Sequence, residues 1–229
     1  MPEYGHKAYW EDRYATSGST LFDWYMDYDG VLPSCKPYIA HDSDILIIGC
    51  GNSNLSEELY DDGYKKITSI DYSEVAISLM STRSINTRPE LKYLVMDATV
   101  MQPLAGISFD ACIDKGTMDS MLCLPQPQAT IRAYLKEINR VLKPGGKALI
   151  FSYGNPHERM DYFEEEGNVK WKEVNVHVLP KPSLQDVRDG HKEDFSPKEY
   201  NPSSTNSLQV HFVYTLSKAE PESEKPAEE

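Results

Sequence analysis

The first unbroken apolar run of four is Ile45-Leu46-Ile47-Ile48, entered from Asp44 and left at Gly49. A strand apolar at every position is covered on both faces, which is the habit of parallel sheets. Lys66–Asp71, Leu91–Met96, Phe109–Asp114 and Lys147–Tyr153 read as four further strands. The stretches between them carry helical spacing. Leu55–Asp62 is short and closed by Gly63. Glu74–Ile85 is opened by Ser73 as a cap and sets Val75, Leu79 and Met80 on one face. Thr130–Leu142 repeats Ile131, Tyr134, Leu135 and Ile138 at helical intervals, and Pro144-Gly145-Gly146 stops it. Strands alternating with helices of this length predict an α/β fold, a doubly wound, Rossmann-like, mostly parallel sheet.

Two more segments, Lys170–Leu179 and Leu208–Ser217, have strand character and are separated by a polar stretch with Pro180, Pro182, Pro197 and Pro202. They predict a closing antiparallel hairpin with a C-terminal antiparallel strand. Residues 180–207 are then a mobile insertion between the last two strands. The tail 218–229 holds five Glu and two Lys and cannot bury apolar surface, so it reads as a disordered acidic tail. Residues 1–217 are expected to form a single domain.

Charge narrows the partners. Lys and Arg total 23 against 36 Asp and Glu, a net charge of -13. A broad grip on nucleic-acid phosphates is built from clustered Lys and Arg, so no nucleic-acid partner is expected. An anionic membrane surface repels such a chain, and no apolar run nears the roughly 18 residues of a spanning helix. A basic protein surface is attracted instead. The stretch Met1–Lys7 has no apolar signal core. Four cysteines without a CxxC pair point to reduced thiols and a cytoplasmic location. The six histidines show no metal-ligand spacing, and Cys50 reads as a small packing residue.

The candidate chemistry begins at Gly49-Cys50-Gly51-Asn52-Ser53-Asn54, directly after the first strand. Such a turn aims backbone N–H groups and a helix start at the carboxyl edge of the sheet, where these folds bind nucleotide-like ligands. By itself it is also what any tight strand–helix turn looks like. Asp71 ends the second strand 20 residues after Gly51, the spacing at which a carboxylate accepts both ribose hydroxyls. Tyr72 follows it and can lie against an adenine face. Asp97, followed by Ala98, ends the third strand, where a carboxylate can take a hydrogen bond from the adenine amine. A nicotinamide dinucleotide fits less well, because Asn54 replaces the third glycine that close approach to a pyrophosphate requires.

This combination, with the helix-breaker Val141-Leu142-Lys143-Pro144-Gly145-Gly146, resembles the class I methyltransferases dependent on S-adenosylmethionine over roughly residues 8–217. The resemblance implies S-adenosyl-L-methionine as cofactor. The Gly49/Gly51 turn would face its methionine part, Asp71 its ribose, and Asp97 with Ala98 its adenine. A narrower likeness rests on Tyr9-Trp10-Glu11-Asp12-Arg13-Tyr14 (YWxxRY), Phe22-Asp23-Trp24-Tyr25, Ile48–Ser53 (GCGNS) and Asp114-Lys115-Gly116-Thr117-Met118-Asp119 (DKGTxD). These resemble the group that methylates lysines of translation elongation factor 1-alpha. The Asn/Asp-Pro-Pro-Tyr motif of enzymes acting on DNA or glutamine amides is absent.

The likeness implies a protein substrate, elongation factor 1-alpha, and an N-terminal lid, 1–30, whose Trp10, Tyr14 and Trp24 contact the cofactor. Lys115 would contact it through its backbone. Trp10 and Tyr14, four apart on one helix face, are equally a packing staple. Arg13 can pair with the cofactor carboxylate or with a surface acid. The reaction would be an in-line displacement by a lysine amine that must first lose its proton, from a reference pKa of about 10.4. Asp114 or Asp119 would orient that amine, although a carboxylate at 119 also suits the first turn of a helix. A small-molecule N- or O-methyltransferase and a non-catalytic binding module are the competing functions.

Overall fold

A computed structural model describes residues 3–165, 168–181, 195–203, 205–206 and 209–220. Residues 182–194, 204 and 207 of the expected insertion, and the tail beyond residue 220, lie outside the described residues.

The chain opens with two helices, α1 (Lys7–Ser17) and α2 (Tyr28–Cys35). The alternating unit follows: β1 (Ile45–Ile48), α3 (Leu55–Asp61), β2 (Ile67–Asp71), α4 (Glu74–Ser84), β3 (Lys92–Val95), β4 (Phe109–Lys115), α5 (Thr117–Met121), α6 (Gln128–Val141) and β5 (Leu142–Ser152). Helix α7 (Pro156–Glu164) and strands β6 (Glu173–Pro180), β7 (Lys198–Glu199) and β8 (Val210–Ser217) complete it. Among the described residues the eight strands join one sheet in the order β3-β2-β1-β4-β5-β8-β6-β7. Strands β1 to β5 run parallel to one another, and β8 enters antiparallel between β5 and β6.

The period-two rule explains the two-sided core. Leu46 and Ile48 of β1 pack with Ile131, Tyr134, Leu135 and Ile138 of α6 on one face. Ile45 and Ile47 pack with Leu55, Leu59, Ile67 and Ile77 on the other. The last two strands pair antiparallel as expected, from Glu173 opposite Ser217 to Pro180 opposite Val210. The later one takes the inner place because seven of its eight residues are buried, whereas β6 is mostly half-exposed.

Strand β5 begins five residues before the expected start, at Leu142. Its Pro144-Gly145-Gly146 segment is absorbed as an irregularity opposite Phe109 and Ala111. The Lys143 ammonium steadies this entry, 2.8 Å from both Asp44 and Asp110. Helices α2, α5 and α7 escaped the periodicity analysis. Helix α5 is only five residues long, and α2 carries Pro33 inside it. Helix α7 has a readable start in Pro156 and in Glu158, which accepts from Asn155 N at 2.9 Å. Among the described residues no helix is long and apolar enough to cross a membrane.

Helix α1 docks on the start of α4 through a shared cap. Ser73 accepts from Ala76 N at 3.1 Å, as its position before the helix predicts. Glu11 of α1 then accepts from the Ser73 hydroxyl at 2.7 Å, Glu74 N at 3.0 Å and Val75 N at 3.2 Å. Burial alone would raise the Glu11 carboxyl, but these hydrogen bonds outweigh it and hold the group below its ordinary value. Glu11→Ala should therefore cost about 1–2 kcal/mol. Differential scanning calorimetry should show the midpoint falling by roughly 2–8 °C for a domain of this size.

Candidate functional site

The carboxyl ends of β1, β2, β3 and β4 open onto a cavity of about 290 Å³, at the lower edge of the ~300–1,000 Å³ usual for small-molecule sites. Of the glycine turn, Gly49 lines this cavity, and Gly51 lines a smaller adjoining hollow. Gly49 has φ +63° and Gly51 φ +50°, values that L side chains rarely adopt. Neither has room for a side chain. A Cβ on Gly49 would stand 1.9 Å from the Thr117 hydroxyl, which is placed there by donating to the Ile48 carbonyl at 2.9 Å. A Cβ on Gly51 would stand 2.5 Å from the Tyr14 hydroxyl.

Asp71 lines the cavity at the end of β2. Its Oδ2 accepts from Gly51 N at 2.9 Å and its Oδ1 from Ser73 N at 2.8 Å. Burial pushes the carboxyl up to about 6, against the pull of those two N–H groups. Each oxygen keeps a lone pair for a ligand hydroxyl. Tyr72, Met96, Asp97 and Ala98 line the adjoining wall. The described hydrogen bonds of Asp97, from Thr99 N at 2.8 Å and Thr99 Oγ1 at 2.7 Å, both fall on Oδ1.

The N-terminal segment forms the roof. Trp10, Tyr14 and Trp24 line the cavity, and Trp10 stacks on Tyr14 at 5.8 Å and meets Trp24 edge-on at 6.0 Å. The Trp10 indole donates to the Tyr4 carbonyl at 2.6 Å and to the Ser120 hydroxyl at 3.2 Å, which joins the roof to α5. Packing staple and roof are thus one structure. Lys115 fastens the far end. Its side chain is 7% exposed, and its ammonium donates to Asp23 at 2.6 Å and to the Trp24 carbonyl at 3.1 Å. Burial lowers this ammonium's pKa, with Asp23 opposing. The Ser53 hydroxyl bonds the same Asp23, so that carboxylate ties roof, glycine turn and β4 together. Arg13 makes no ion pair among the described residues. Its guanidinium lies 4.6 Å from the Phe22 ring centroid and 5.6 Å from that of Trp24, so the surface-acid pairing is not formed.

The two carboxylates expected to orient the acceptor amine stand elsewhere. Asp114 is 1% exposed and caps α5. Its Oδ1 accepts from Thr117 N at 2.6 Å, and its Oδ2 from Met118 N at 2.9 Å and the Tyr134 hydroxyl at 2.5 Å. Burial raises it to about 6 despite these donors. Asp119 is 3% exposed and pairs with Arg159 at 2.9 Å. It also accepts from Ser152 Oγ at 2.6 Å, Tyr25 Oη at 2.7 Å and Tyr153 N at 3.0 Å. Neither lines the cavity. Helix α5 is the reason: it uses Asp114 as a cap and carries Asp119 in its first turn, as the alternative reading of that carboxylate expected, aimed back into the sheet edge. Sequence reasoning also missed Gly116, Thr117 and Ser120 as cavity walls, and it had no signal for Arg159.

The methyltransferase domain family matches residues 46–150. The chain is 38% identical over 171 residues to an eEF1A lysine and N-terminal methyltransferase of Mus musculus, covering 72% of this chain and 24% of that protein. It thus spans about a quarter of that relative's length. It is 33% identical over 172 residues to the EEF1A lysine methyltransferase 4 of Mus musculus, covering 71% of this chain and 67% of the relative. A TehB-like SAM-dependent methyltransferase from Corynebacterium glutamicum superimposes with a TM-score of 0.58 at 16% identity, over 94% of this chain and 98% of the other. That likeness bears on the fold alone.

The buried Asp119–Arg159 pair makes a prediction unlike that for a free orienting carboxylate. Asp119→Asn leaves a guanidinium buried without its counter-charge and should cost about 3–5 kcal/mol. Thermal unfolding should show a midpoint at least about 6 °C lower. An unchanged midpoint beside lost activity would return Asp119 to a direct role.

Proposed function

The chain belongs to the eEF1A lysine methyltransferase family, and on that premise we propose that it is an S-adenosylmethionine-dependent protein-lysine methyltransferase acting on translation elongation factor 1-alpha. The observation that carries the cofactor assignment is Asp71, a buried carboxylate at the cavity wall whose oxygens are held by Gly51 N and Ser73 N with lone pairs to spare. The residues fit the group. Asp71 takes the ribose hydroxyls, Asp97 the adenine amine, and Tyr72, Met96 and Ala98 pack the base. Gly49 lets the methionine part lie on the backbone, whereas Arg13 does not line the cavity and is assigned no part in holding the methionine carboxylate. A pyrophosphate would find only Lys115 among the lining cations, and that ammonium is paired with Asp23.

When bound, S-adenosylmethionine would supply a sulfonium methyl whose carbon an amine lone pair attacks, the C–S bond breaking so that S-adenosylhomocysteine leaves and the positive charge passes from sulfur to nitrogen. The chain supplies alignment and dryness. Trp10, Tyr14 and Trp24 roof the cavity against water, and the Lys115–Asp23 pair holds that roof to the tip of β4. We take residues 1–217 as one catalytic domain with 1–30 as its lid. The substrate assignment rests on the relatives' own names and on a net charge of -13, which steers a basic protein surface toward the site. All four cysteines are unpaired, in keeping with a reducing cytoplasm.

Two measurements test this. Protonating Asp71 removes its charge and turns one acceptor oxygen into a donor. S-adenosylmethionine affinity should therefore be level above about pH 6 and fall as the pH drops below it, the value to which burial raises Asp71. Asp71→Asn should bind at least about tenfold more weakly, given about 1.5–3 kcal/mol for each charge-assisted bond, and titrate flat in calorimetry across that range. A wild-type profile unchanged by the substitution would remove Asp71 from the site.

For the substrate, radiolabelled cofactor and a cell lysate should yield a labelled band at the size of elongation factor 1-alpha, absent with Asp71→Ala. Label confined to the small-molecule fraction would overturn the protein-lysine assignment.

A further inference from the structure

With Asp114 and Asp119 both committed inside the protein, the acceptor side of the cavity lacks the groups first assigned to it. One residue there is unexplained by any cofactor role. Tyr25 has a backbone φ of +67°, a conformation that strains a side-chain-bearing residue and persists only when its surroundings hold it. They hold Tyr25 from three sides. Its ring lies against Gly116, a cavity-lining residue on which a Cβ would stand 3.3 Å from Tyr25 Cε2. Its hydroxyl donates to Asp119 at 2.7 Å. Its ring centroid is 4.9 Å from that of His211. His211 is 9% exposed, and its Nδ1 has no hydrogen-bond partner. Burial first, and then Lys181, lowers its pKa to about 4, so it places no competing cation there at neutral pH.

Tyr25 does not itself line the cavity but stands behind Gly116, and its outer neighbour Tyr153 is 52% exposed and 6.5 Å from it between ring centroids. Trp24, which lines the cavity, meets Tyr25 on its other side at 6.2 Å. A row of aromatic faces thus runs from solvent at Tyr153, past Tyr25, to the cavity at Trp24 and Gly116. Asp119 adds no free charge to it, because Arg159 already neutralises that carboxylate, and the same guanidinium lies 5.3 Å from the Tyr153 ring centroid, so one face of that ring is already taken. Ring faces attract a cation by their quadrupole. They also desolvate it, and desolvation is what lowers an amine's pKa and makes deprotonation possible. A carboxylate in the same place would do the opposite and keep the ammonium charged.

We propose that Tyr25 and Tyr153 are the walls of the port through which the substrate lysine side chain enters, and that Asp119 is a positioning residue that fixes the Tyr25 ring through its hydroxyl. The proposal deepens the protein-lysine function and rests on it, naming the acceptor-side residues which that function requires. The strain at Tyr25 is then the cost of aiming an aromatic face, rather than a backbone turn, at the entrance.

The test compares Tyr25→Leu, Tyr25→Phe and Tyr153→Leu. Binding of recombinant elongation factor 1-alpha is read by calorimetry in the presence of S-adenosylhomocysteine, and KM, kcat and cofactor affinity are measured alongside. Each Leu variant should weaken acceptor binding and raise its KM about tenfold, while S-adenosylmethionine affinity stays within twofold. Tyr25→Phe keeps the ring and should lose less, about two- to threefold. Tyr153 is half-exposed, so its variant carries the test even where a Tyr25 variant does not fold. Acceptor binding unchanged in Tyr153→Leu and in any folded Tyr25→Leu overturns the port. So does a cofactor affinity that falls in step with acceptor binding, since it would place these rings in the cofactor site. A wild-type protein that labels no lysine overturns the parent function and the port together, whereas a labelling wild type beside indifferent Leu variants overturns the port alone.

Discussion

Asp71 ends β2 with one carboxylate oxygen on Gly51 N and the other on Ser73 N, and much of the carboxyl edge of the sheet is placed by those two bonds. The first sets the glycine turn after β1. The second sets the start of α4, where Ser73 caps the helix and Glu11 reaches in from α1 to bond the cap itself. The chain from β1 through the turn, β2, α4 and the N-terminal helix is therefore one hydrogen-bonded unit around a buried charge. Desolvating that charge is costly, and the backbone donors reduce the cost without consuming every lone pair. What is left over points into the cavity. Stabilising the edge and presenting an acceptor to a ligand are the same arrangement of atoms.

A second group of buried carboxylates does the converse. Asp114 and Asp119 sit one turn apart around α5, and their described bonds are spent on the protein: helix N–H groups, Tyr134, Ser152, Tyr25 and Arg159. They hold the tips of β4 and β5 and the N-terminal segment in register. A carboxylate left free here would stabilise the ammonium form of an entering lysine and so oppose its attack. Turning both acids inward and leaving aromatic faces at the entrance resolves that conflict. The division also separates two kinds of substitution: changes around Asp119 act first on folding, and changes at the exposed ring of Tyr153 act on the acceptor alone.

Much of this was legible in the chain. The apolar run 45–48 and the alternation of strand and helix periods carried the sheet, because a strand buried on both faces has few other ways to be written. The spacing from Gly51 to Asp71 carried the ribose acid, because Gly51 lies in the turn just past β1 and Asp71 ends the adjacent parallel β2, so the strand spacing brings them together. Less was legible where the signal is not periodic. Five-residue α5 has no face to repeat, so the DKGTxD segment left Asp119 open between orienting the acceptor amine and standing in the first turn of a helix. The order of the last two strands followed from their relative burial, which neighbouring composition hinted at but did not state. Arg13 was undecided between two partners until the structure showed aromatic rings and no acid beside it.

Local chemistry alone determined the α/β alternation, the glycine turn, the cap at Ser73 and the acids at the ends of β2 and β3, because each depends on residues close in the chain or on one strand-to-strand step. Tertiary structure decided which carboxylates face the ligand and which face the protein. That choice depends on donors far away in sequence, Tyr25 and Arg159 for Asp119 and Tyr134 for Asp114. Only folding brings those donors within hydrogen-bonding distance. A carboxylate's role is set by who reaches it first, and no local pattern encodes that.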